Sequence, residues 1–192
     1  MSELKFRNLN ADEVEARAGQ EYESGLTLLL YKNARVDMAI LDETVGPMNW
    51  QRDHKEIKGT MYAGIGIWDE SKAQWVWKWD AGTESRTEKE KGEASDSFKR
   101  AGTNWGIGRE LYKSPFIWIK KEFLRYNSKD KLTTKFEVTY LESSEDKEVT
   151  CLVVAAKNKG EPDVVAFSYG KPKEEKKPSA ELKAPKKYEV KV

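Results

Sequence analysis

Hydrophobic positions along this chain change their period several times, and each change marks the edge of an element. Near the start, "NADEVEARAG" offers Asn10 as a cap with Glu13 at the capping-box position, which predicts a short helix ended by Gly19. "LTLLLYK" reads as a buried strand. In "NARVDMAILDETVGP", Val36, Ala39, Ile40 and Leu41 recur at helical spacing, and Gly46-Pro47 supply a stop. Three β-rich runs follow, "NWQRDHKEIK", "TMYAGIGIW" and "AQWVWKWD", joined by Lys58-Gly59 and by "DESK"; connections of that length predict an antiparallel meander. Ser85 with Glu88 gives a second capping box, opening a long helix that continues to about Tyr112, before Pro115. "FIWIKKEF", "TKFEVTYLE", "EVTCLVVAAK" and "DVVAFSY" predict further strands, and no internal repeat is found. The expected class is α+β: an antiparallel β-meander packed on a long helix, a β-β-β-α core, with additional C-terminal strands.

Within the long helix, "SDSFKRAGTNWGIGRELY" places Phe98, Ala101 and Trp105 on one narrow stripe, while Lys99 and Arg100 point away from it. An outward basic pair is ordinarily a solvated face, so by itself it does not establish a binding role. The Gly106-Ile107-Gly108 step lacks the third spaced glycine of a dinucleotide loop and the Gly-Lys-Ser/Thr ending of a phosphate loop, and it follows a helix where those motifs follow a strand. On the meander, Trp75, Trp77 and Trp79 alternate with Val76 and Lys78 and share one face of a strand. Such a row can stack bases, bind sugar rings, join subunits or form the floor beneath the long helix. The sole histidine, His54, lies in a polar strand and is expected to be exposed, with no cysteine or second histidine at metal spacing. No metal, cofactor or catalytic residue is expected, and the chain is read as a non-enzyme. Cys151, the only cysteine, sits in "CLVVAA" and reads as a buried strand thiol.

Composition refines this picture. The 192 residues suit one domain with a sizeable core, 35% are charged, and no run approaches the roughly 18 apolar residues of a membrane span. "MSELKFRNLNADEVEARAG" lacks the basic start and apolar middle of a secretory signal, so a cytoplasmic location is expected. The net charge of +1 is unevenly spread: residues 171–192 hold eight lysines against four glutamates and three of the six prolines, leaving 1–170 at −3, with 26 basic against 29 acidic residues. The expected organisation is one domain over 1–170 and a disordered basic tail over 171–192. A mildly acidic body that binds an anion must cluster its cations.

The succession helix, meander, long helix, with "YKNARVDMAILDETVGPMNW" before the meander and "GEASDSFKRAGTNWGIGRELY" in the long helix, resembles the annealing domain of the Rad-fifty-two family and its phage Sak relatives over roughly residues 25–115. The family pattern is carried by Ala94, Asp96, Phe98, Lys99, Arg100 and Ala101, followed by Trp105-Gly106, with Tyr31, Gly46 and Trp50 upstream. Thr103 and Asn104 stand where a further arginine often follows the basic pair. The resemblance implies a recombination protein that binds single-stranded DNA as an oligomeric ring and anneals the complementary strand without nucleotide hydrolysis. It also implies a bacterial host cell as the setting, and an exonuclease or a single-strand-binding protein among the partners. By the same resemblance, Lys99 and Arg100 hold phosphates in a groove and Tyr31 and Arg35 line its opposite wall. Lys89 and Lys91, earlier on the helix, are weaker DNA-binding candidates. The rival readings are an aromatic-platform carbohydrate-binding module and a purely structural phage ring protein.

Overall fold

The computed structural model describes residues 4–83 and 89–171, with residues 89–91 described by their backbone alone. The Ser85–Glu88 capping box and the basic tail beyond Lys171 lie outside the described residues. The fold is α+β with mostly antiparallel strands and two helices.

In chain order, a 3-10 turn at Ala11–Glu13 leads into β1 (Val14–Tyr22), β2 (Gly25–Lys32), α1 (Ala34–Val45), β3 (Trp50–Ile57), β4 (Thr60–Asp69), β5 (Gln74–Ala81) and α2 (Lys89–Trp105). A 3-10 turn at Arg109–Lys113 precedes β6 (Ile117–Lys120), another spans Lys121–Phe123, and β7 (Lys135–Ser143), β8 (Val149–Lys157) and β9 (Val164–Tyr169) complete the chain.

The helix expected after Asn10 is corrected to a strand. The Asn10 N–H does donate to Glu13 at 2.8 Å, but the helical turn stops at Glu13. Val14 is buried and Glu15 and Arg17 are exposed, which is the alternation of a strand, and β1 pairs with β2 on one side and β7 on the other. Ladder hydrogen bonds from two neighbours outweigh a local capping signal. The helix over 34–45 forms as its spacing predicts, with Asn33 accepting from the Arg35 N–H and Gly46 closing it at φ 84. Its inward positions are Asp37, Ile40 and Leu41, whereas Ala39 is exposed.

The frame of the molecule also differs from the expected β-β-β-α core. Its largest element is a six-stranded, near-barrel antiparallel sheet in the order β6-β2-β1-β7-β8-β9, drawn from both ends of the chain, with β6 and β9 approaching each other. The three meander runs form a separate sheet, β3-β4-β5, whose first hairpin turns through Lys58 and Gly59 at φ 53 and 76, the pair of positive angles a type I′ turn requires. α1, this sheet and α2 together form an excursion from the large sheet: the chain leaves at Lys32 and returns at Ile117, which pairs with Leu28.

α2 lies against β4 and β5 through Phe98 and Ala101, both buried, and half-buried Trp105, whose Nε1 donates to the Ile65 carbonyl at 3.0 Å. Ala63 and Ile65 beneath it are fully buried, and these residues belong to one apolar core that also takes in Leu26, Ile40, Ile119 and Leu152. The helix ends at Trp105, short of the expected Tyr112. Gly106, at φ 108, reverses the chain, its N–H donating to the Thr103 carbonyl and the Ile107 N–H to that of Gly102, both at 3.0 Å. This pair of bonds is a Schellman closure.

Candidate nucleic-acid interface

Between α2 and β2 runs an open cleft of about 530 Å³. β2 supplies Tyr31 to one wall, α2 supplies Lys99 and Arg100 to the other, and the segment after α2 adds Tyr112 and Phe116 at the mouth. Three of the expected site residues, Tyr31, Lys99 and Arg100, therefore border one space although nearly seventy residues separate them in sequence. Arg35 does not line it: this residue is exposed in the first turn of α1. Lys89 and Lys91 fall in the opening turn of α2, and their side chains lie outside the described residues.

The basic pair points off the apolar stripe, as the helical wheel has it, and the face it occupies borders the cleft. The Lys99 side chain is 23% exposed and that of Arg100 43%, because β2 and the Thr83 region flank the helix face that a wheel leaves open. Each cation has a carboxylate beside it. Lys99 Nζ lies 3.8 Å from Asp96, and Arg100 Nε donates to Asp80 at 3.3 Å. Asp80 also accepts from Asn104 Nδ2 at 3.2 Å, and Asp96 accepts from the Thr83 N–H and hydroxyl at 3.1 Å each. Such partly exposed pairs orient a cation at little net energy, and a phosphate can compete for it.

Beneath the cleft lies a buried ionic cluster that periodicity did not reveal. Lys32 reaches inward from the end of β2, donating to Asp37 of α1 and, at 2.8 Å, to the Ile107 carbonyl. Asp37 is fully buried, and burial pushes its carboxyl up to about 6 against the opposing pull of Lys32. Glu110, also fully buried, accepts from the Leu9 N–H at 2.6 Å. The cluster ties β2, α1, the end of α2 and the N-terminal segment together at the cleft floor. Gly102 is the contact point: a Cβ there would run into Asp37 and come within 3.5 Å of Lys32 Nζ. The only advance signal was a charged residue at an inward helical phase, Asp37 beside Ile40 and Leu41.

The tryptophan row does not floor the long helix. Ala63, Ile65 and Ile67 turn toward α2, so strand alternation sends Gly64, Gly66 and their partners Trp79 and Trp77 to the opposite face. The two rings lie across the glycines, where an added Cβ would stand 2.6 and 2.7 Å from them, and stack at 5.4 Å with an interplanar angle of 23°. Lys55 Nζ sits 4.1 Å from the Trp79 ring centroid. His54 is half-buried rather than exposed, its Nε2 enclosed without a hydrogen-bond partner. Cys151 is buried in β8, and burial pushes its thiol up.

Among the described residues no group of three or more His, Cys, Asp or Glu side chains is arranged to hold a metal ion, and no helix is long and apolar enough to cross a membrane. What the arrangement offers chemically is an open groove with two carboxylate-paired cations on one wall and an aromatic rim. Comparison with protein-family models, curated proteins and solved structures finds no match to this chain.

Proposed function

We propose that this protein binds single-stranded DNA along the α2–β2 cleft and promotes annealing of the complementary strand, as an oligomeric ring and without nucleotide hydrolysis. One observation carries the reading: Lys99 and Arg100 of α2 and Tyr31 of β2, the residues implied by the Rad-fifty-two-like pattern, border the same cleft. The physics suits the task. Cations that grip phosphates while leaving Watson–Crick edges free present a strand for pairing, whereas contacts that read base edges would obstruct it.

The test is fluorescence anisotropy of a labelled poly-dT strand at several salt concentrations, with circular dichroism on the same samples, for wild type and for Lys99→Ala combined with Arg100→Ala. The double variant is expected to stay folded, to lose affinity for all sequences alike and to flatten the salt dependence, since each phosphate contact releases about 0.7 of a counterion from a single strand. Wild-type affinity and slope in the folded double variant would refute the reading. The stacked Trp77–Trp79 face favours one alternative, a carbohydrate-binding module, which would instead bind a neutral oligosaccharide with no salt dependence.

A further inference from the structure

Phe116 stands at the cleft mouth with 73% of its surface exposed, and Tyr112 beside the same cleft is 67% exposed. Large bare aromatics of this kind call for an explanation when they are contiguous, and these continue along the sheet edge. Ile117 and Ile119 of β6 are buried, so alternation sends Phe116, Trp118 and Lys120 to the outer face. The Phe116 ring stacks on Trp118, with centroids 6.4 Å apart and planes 17° from parallel, and Trp118 meets Tyr22 at 5.5 Å. Trp118 rests over Gly25, where an added Cβ would lie 3.0 Å from the indole, so the ring is backed by main chain. Lys120 follows on the same face, its side chain 72% exposed.

From this continuity we propose that Phe116, Trp118 and Tyr22 form a stacking track for bases of the same strand whose phosphates lie against Lys99 and Arg100, a proposal that rests on the reading of the cleft as a single-strand groove. Stacking suits such a groove because every base has a π-face, so the track adds affinity without adding sequence preference. Cations at both ends, Lys99 and Arg100 in the cleft and Lys120 beyond Trp118, complement a backbone running past the rings.

The full chain is titrated by anisotropy against a labelled dT strand and an abasic strand of equal length and charge, at one salt concentration. Wild type is expected to prefer the dT strand about tenfold. Phe116→Ala should weaken binding to dT about five- to tenfold while leaving the abasic strand unaffected. Phe116→Trp should restore the preference, and the Lys99→Ala, Arg100→Ala double variant should weaken binding to both strands alike. Equal affinity of wild type for the two strands, or an unchanged preference in Phe116→Ala, overturns the track while a double variant that still binds poorly leaves the cleft standing. A double variant that binds both strands as wild type does overturns the cleft and the track together. If Phe116→Ala lowers the sedimentation coefficient of the DNA-free protein and leaves its strand preference intact, the rings are a subunit contact and the proposal fails.

Discussion

Asp37 is the residue whose chemistry departs furthest from what its sequence position suggests. A carboxyl held at about 6, above its ordinary 3.8, binds its proton more tightly in the folded than in the unfolded state. Ionising it inside the fold therefore costs stability above pH 6, and the cost disappears as pH falls through 6 toward 4. Over that window the difference amounts to about 2–3 kcal/mol. Urea unfolding of wild type and Asp37→Asn at pH 7 and pH 4 checks this: the stability gap between them should move in favour of wild type as pH is lowered. A gap constant with pH would mean that Lys32 and Lys99, the cations acting on Asp37, fully offset its burial.

At the level of elements, the Gly106 turn decides where α2 stops and so where Arg109 and Glu110 fall. With Gly106 at φ 108, any side chain is strained, and Gly106→Ala is expected to lower stability by roughly 1–2 kcal/mol, read as a drop in the thermal midpoint by circular dichroism. A variant as stable as wild type would show that the turn tolerates a Cβ, which the open space around Gly106 alone would permit. α1, the three meander strands and the strands after Pro115 were legible because their signals are local: the spacing of Val36 to Ile40, the Lys58-Gly59 turn and the run of Val153 and Val154. The first strand was not legible, because Asn10 and Glu13 satisfy a capping rule that ladder bonds from β2 and β7 then override. Of the candidate cleft, the basic pair was legible as a motif, and its binding role came only from the resemblance. Lys99 and Arg100 stand out on α2, whereas the proposed track joins Phe116 and Trp118, neighbours in one segment, to Tyr22 of β1, and only the pairing of β2 with both β1 and β6 brings the two segments together.

On the scale of the whole molecule, β3 and β5 are the two edge strands of the smaller sheet. An edge offered on each side of one body allows head-to-tail contacts, which close into a ring when the rotation permits. Analytical ultracentrifugation at micromolar concentration is expected to show a large species, and a monomer at every salt concentration, with DNA present, would exclude the ring. The excursion between Lys32 and Ile117 has a further consequence, for the order in which the molecule is built. β3, β4 and β5 pair with their immediate sequence neighbours, and α2 follows directly, so this unit closes short loops at small entropic cost. The large sheet must instead join Glu15 to Glu137 and Leu28 to Ile117, long closures that repay their entropy late. The cleft is therefore expected to lie on the seam between an early-folding unit and a late-forming one. Its two walls are then expected to meet only when the chain is nearly native, so an incompletely folded chain would present Lys99 and Arg100 without the β2 wall that borders the cleft.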